Sequence, residues 1–132
     1  DVAVVKEWEY VEDMRDEQGR LKPVPAYVMV YEISGPMFFG AADKIPHMER
    51  DNGCRVLILR MRSVPAMDIT ALNGLYDECV RKNINVVFSH VNEQPMSVFR
   101  KSGMYDLVGA ENFQPNIDVA LERAISIGGM PV

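Results

Sequence analysis

The run Val56-Leu57-Ile58-Leu59 constrains this chain more than any other feature. Successive side chains of a strand point to opposite faces, so an unbroken apolar run of strand length implies that both faces are covered. It predicts a central strand. A short loop with Ser63 and Pro65 follows, and Asp68 then stands before Leu72, Leu75, Tyr76, Cys79 and Val80, whose spacing is helical. Asp68 reads as an N-cap: its carboxylate can accept from the free amides of the first turn, and its charge suits the positive end of the helix dipole. The stretch from Arg55 to Val80 is thus one strand, loop and capped helix.

A chain of 132 residues forms one domain and can bury about two thirds of its unfolded surface without staples. The net charge of −5, with no dense basic cluster, argues against a nucleic-acid polymer as partner. Cys54 and Cys79 lie in or beside core elements without CxxC spacing and read as reduced, buried thiols of a cytosolic compartment. No apolar run reaches the roughly 18 residues of a membrane span, and no signal peptide opens the chain. The chain begins at Asp1 rather than Met, which suggests processing or excision from something longer.

Taken in order, Val2 to Val11 alternates Trp8 and Tyr10 with Glu7 and Glu9, the pattern of an edge strand with one wet face. Glu12 to Pro25, polar and carrying Gly19 and Pro23, predicts a loop. Tyr27 to Ile33 predicts a second buried strand, broken by Ser34-Gly35-Pro36. Ala41 to Arg50 predicts a helix bent at Pro46, and Asp51-Asn52-Gly53 a turn. Lys82-Asn83 closes the Asp68 helix, and Ile84 to Val91 predicts another buried strand. Asn92-Glu93-Gln94-Pro95 starts a short helix that ends at Gly103, with Met104 to Val108 as its tail. Gly109 to Pro115 reads as turns. Asn116 caps a last helix with Ile117, Ala120, Leu121, Ala124 and Ile125 on one face, ended by Gly128-Gly129. Strands alternating with helices through crossovers of this length predict an α/β fold: a single mixed β-sheet flanked mainly on one side by helices.

Signals of chemistry are sparse. GxGxxG, GxxxxGK[ST] and GxSxG are all absent, which weakens an enzyme reading. His47 and His90 are the two imidazoles, and no metal quartet can be assembled around them. His90 reads as a surface or hydrogen-bonded residue at a strand end. Arg60 and Arg62 lie near the carboxyl end of the central strand, where open α/β sheets bind ligands, and read as a solvated rim. Met29, Met61 and Met67 read as core filler. Met37, Phe38 and Phe39 fall between breakers: half-buried they form a docking surface, fully buried they are core, and the sequence leaves both open.

Two stretches resemble a known family. Gly35-Pro36-Met37-Phe38-Phe39-Gly40-Ala41-Ala42 resembles the GP-[LM]-FF-x-x-A segment of the STAS domains that form the cytoplasmic tails of SulP-family inorganic-anion transporters. Val64-Pro65-Ala66-Met67-Asp68-Ile69-Thr70-Ala71-Leu72 is similar to that family's V-P-x-[LM]-D-x-[ST]-[GA]-L core, and to the D-S-[ST]-G-L motif of bacterial anti-sigma factor antagonists. The resemblance runs from about Tyr27 to Ser126. It implies a STAS domain over residues 27–126, preceded over 1–26 by a strand and loop leading from a membrane region and followed by a tail over 127–132. It also implies a non-enzymatic regulatory domain of a sulfate or related anion transporter, without cofactor, at the cytoplasmic face of the membrane. The implied partners are the transmembrane domain of the parent, a cytosolic regulatory protein or a second copy. Asp68, Ile69, Thr70, Met37, Phe38 and Phe39 are the candidate interaction and regulatory residues. Two alternatives accompany this reading: a free-standing antagonist that binds a switch kinase, and a module that binds a nucleotide or small anion at a helix N-terminus. Against the first, the antagonists' phosphorylated serine is replaced by Ile69, which leaves Thr70 as the one hydroxyl there. Ala71 stands where Gly is usual, a change that favours helix.

Overall fold

A computed structural model describes residues 3–15, 18–38, 45 and 53–129. The apolar run lies in β5 (Val56–Ser63), the middle strand of a five-stranded sheet, and Val56, Leu57, Ile58 and Leu59 have no accessible surface. Its parallel neighbours are β4 (Val28–Ser34) and β6 (Asn85–Ser89). A two-residue strand, β7 (Phe113–Gln114), joins β6 in parallel, while β1 (Val4–Trp8) pairs antiparallel with β4 as the opposite edge. The sheet is therefore mixed, in the order β1-β4-β5-β6-β7.

Alternation along the strands builds two cores. Leu57, Leu59 and Met61 share one face with Tyr31, Ile33, Val86 and Phe88. That face is covered by α1 (Asn73–Arg81), α2 (Glu93–Lys101) and α3 (Met104–Val108) through Leu75, Cys79, Phe99 and Met104. Val56, Ile58, Val28, Val30 and Val87 point the other way, against Ile117, Ala120, Leu121 and Ala124 of α4 (Ile117–Gly128). Among the described residues, three α-helices on one face and one on the other match the expected architecture. Asn116 caps α4 by accepting from the Val119 amide at 3.0 Å. Ile125, read as part of the apolar face, is exposed at its margin.

Three expectations change. The polar segment from Glu12 to Pro25 contributes to an antiparallel ribbon of β2 (Tyr10–Arg15) and β3 (Leu21–Pro23) that lies beside α4. Backbone pairing makes this ribbon, and it requires no apolar alternation. Gly109 to Pro115 is more than turns, because it contains a 3₁₀ turn (Ala110–Asn112) and β7. Two residues are too few to show a period. Met104 to Val108 is itself helical, entered through Gly103 in the left-handed region at φ 84°. The bent helix expected over Ala41 to Arg50 lies outside the described residues apart from Ile45, which is buried. Among the described residues, no helix is long and apolar enough to cross a membrane.

Candidate functional site

The two sequence motifs meet at the carboxyl ends of the parallel strands. After β4, Gly35 turns the chain at φ 98°, a left-handed conformation open to glycine, and its amide donates to the Ser63 carbonyl at 2.9 Å. Met37 then forms a parallel bridge with Met67: the Met37 amide donates to the Ala66 carbonyl at 3.0 Å, and the Asp68 amide donates to the Met37 carbonyl at 2.8 Å. The pairing of β4 with β5 thus resumes beyond Pro36 and Pro65. Met37 is fully buried, whereas Phe38, the next residue, is 52% exposed. The alternatives left open by the sequence divide between neighbours, Met37 in the core and Phe38 at the surface. Phe39 lies outside the described residues.

Asp68 has extended backbone, and its Oδ1 accepts from both the amide and the hydroxyl of Thr70 at 3.0 Å. It caps a 3₁₀ turn (Ile69–Ala71) rather than α1 itself, which begins after Leu72. Asp68 and Thr70 are exposed. Ile69 packs partly on the core and lines a hollow of about 450 Å³ between α1 and α3, with Tyr76, Met104 and Leu107. Two side chains that sequence reasoning treated as a helix start also reach this loop. Gln94 accepts from the Met67 amide at 2.9 Å and donates to the Met67 carbonyl at 3.4 Å. Asn92 donates to the carbonyls of Arg62 at 3.1 Å and Val64 at 2.9 Å. Their amide side chains before Pro95 were the available signal, and it is shared by many ordinary helix starts.

Of the arginine pair, Arg62 is exposed as a rim residue would be, whereas Arg60 is not. Arg60 is buried at 3.7 Å from Glu32, its cross-strand neighbour, and lies over the Trp8 ring at 5.5 Å. Arg62 reaches the same carboxylate at 3.2 Å. Glu32 lies 30 positions away in sequence from Arg62, so the pairing follows from strand register. Cys54 and Cys79 are free and buried, and burial raises both thiol pKa values, that of Cys79 to about 12. Neither offers a thiolate near neutral pH. His90 sits at the end of β6 with its side chain exposed, and its backbone amide donates to the Gln114 carbonyl at 2.9 Å. Among the described residues no group of three or more His, Cys, Asp or Glu could hold a metal ion.

Fold and rim together define a small α/β domain that presents an aspartate-capped turn and a half-exposed phenylalanine where its parallel strands end. The chain belongs to the STAS domain family, whose model matches residues 21–120. It is similar to the structure of a sulfate transporter family protein from Wolinella succinogenes, at 30% identity and a TM-score of 0.69 over 87% of this chain and 97% of that one. It is also similar to the SulP transporter STAS domain from Vibrio cholerae, at 31% identity and a TM-score of 0.65 over 83% and 89%. The murine anion transporter Slc26a9 shares the fold over 92% of this chain and 22% of its own, at 15% identity and a TM-score of 0.68. A curated relative, "Putative sulfate transporter YvdB" of Bacillus subtilis (strain 168), is 29% identical over 94 residues. That match covers 65% of this chain, and the chain spans 17% of that relative's length. The family model and the Vibrio cholerae structure place the domain with the STAS domains of SulP transporters.

Proposed function

We propose that this domain is a non-enzymatic regulatory module of a SulP-type transporter of sulfate or a related anion. It acts at the cytoplasmic face of the membrane by docking the Phe38–Asp68 rim on the transmembrane domain of the parent. The observation that carries the reading is the contrast between Met37 and Phe38. A buried residue bonded through its backbone to the Asp68 loop holds an exposed aromatic side chain beside it. An aromatic group pinned at a surface loses little entropy on contact and suits an interface centre. Asp68 and Thr70 extend the same surface with polar groups. Ile69 supports this choice over a phosphorylated antagonist, since it has no hydroxyl to modify.

The test is transport by the parent protein carrying Phe38→Ala. Loss of an interface aromatic should cost about 2 kcal/mol of docking, so transport should fall severalfold while the domain unfolds at an unchanged temperature. Unchanged transport would remove the docking role.

A further inference from the structure

Two side chains at the junction of β6 and α2 depart from the usual behaviour of their types. Asn92 occupies the N-cap position of α2, where asparagine ordinarily accepts from a free helix amide, yet it makes no capping bond. Its Nδ2 donates instead to the Arg62 and Val64 carbonyls. Gln94 is exposed, yet both ends of its amide engage the backbone of Met67. A long side chain at a wet surface surrenders rotamer freedom to hold such a geometry.

The register explains what the two amides accomplish. β6 ends at Ser89, opposite Arg60, so β5 and the loop beyond it run on past their strand partner on that side. A primary amide carries two N–H donors and a carbonyl acceptor, with one N–H on the same edge as the oxygen, so it can bond both the N–H and the C=O of a single residue or donate to two carbonyls. Gln94 therefore serves Met67 as a missing strand would, and Asn92 serves Arg62 and Val64. On its other side Met67 is bridged to Met37.

We propose that Gln94 and Asn92 are positioning residues for the Phe38–Asp68 surface: from α2 they fix the register of the Met37–Met67 bridge. This rests on the docking reading for its consequence, since the surface they hold is the proposed contact. With Met67 held from both sides, the Asp68 amide stays aimed at the Met37 carbonyl, and Phe38 keeps its outward place.

Hydrogen exchange on the 132-residue chain tests the positioning. Gln94→Met keeps the length of the side chain and removes both amide ends. The Met37 and Asp68 amides, neither bonded to Gln94 itself, should exchange about tenfold faster. Local opening at the Val119 amide of the α4 cap should not change, and the unfolding temperature should fall by only the few degrees that a loss of about tenfold implies. Gln94→Glu keeps an acceptor for the Met67 amide and should exchange more slowly than Gln94→Met. Unaltered exchange at Met37 and Asp68 in Gln94→Met overturns the proposal. In the parent transporter, Gln94→Met should lower transport, and the double variant with Phe38→Ala should be no worse than Phe38→Ala alone. Faster exchange with transport untouched by either substitution would leave the positioning standing and remove the docking reading.

Discussion

Glu32 shows how much one residue's environment depends on partners far along the chain. Its carboxylate, 11% exposed, meets Arg60, 5% exposed, and Arg62, 41% exposed. Removing one partner of a buried pair leaves an uncompensated charge, which typically costs about 3 kcal/mol or more, whereas an exposed partner contributes under about 1 kcal/mol. Glu32→Ala should therefore destabilise the domain far more than Arg62→Ala in urea denaturation. Equal losses would show that the Glu32–Arg60 contact contributes little. From sequence, Arg60 and Arg62 are equivalent, since both flank Met61 on a strand with outward spacing. The cross-strand register that places Glu32 opposite Arg60 separates them.

At the scale of elements, the same residue type has opposite effects in two helices. Gly74, in the first turn of α1, has nothing within 4 Å of where a Cβ would stand, so Gly74→Ala should stabilise by up to about 1 kcal/mol. At Gly128, the last residue of α4, a Cβ would come within 2.3 Å of the Tyr27 ring. Gly128→Ala should destabilise by about 1–3 kcal/mol despite the gain in helix propensity. Thermal melts of the two variants moving in the same direction would contradict this packing. The helices themselves were legible: α1 and α4 follow from apolar spacing, α2 from its Asn92-to-Pro95 start and Gly103 stop, and the Asn116 cap from its position. The short elements were not. β7 has two residues and the β2–β3 ribbon has polar strands, and both exist through pairing with partners that local periodicity does not reveal. In the rim, Asp68 announced itself as a cap, while the hold of Gln94 on Met67 spans 27 positions and left no local mark.

For the whole molecule, the core facing α1 to α3 contains Tyr31, Cys54 and Cys79. Burial, aided by the charge of Glu7 across the sheet, raises Tyr31 from 10.0 to about 12, and burial raises Cys79 from 9.0 to about 12. Both groups hold protons in the folded state that the unfolded chain releases, so their contribution is intact below about pH 9 and is lost as the pH rises through about 12. The urea midpoint should fall over that window, and less steeply for Tyr31→Phe between pH 10 and 12. A flat midpoint up to pH 12 would show that these groups titrate freely in the fold. The central strand, the capping role of Asp68 and the helices with one apolar face are legible in the sequence by itself, because burial on two faces, capping and helical period are each written within about ten neighbouring residues. Tertiary structure decided the rest: that α4 packs on the second face, that Met37 is buried while Phe38 is not, and that Glu32, Asn92 and Gln94 reach the strands and loop beside them. Those outcomes depend on register between segments distant in the chain, and a contact made across a sheet leaves no period in either segment that forms it.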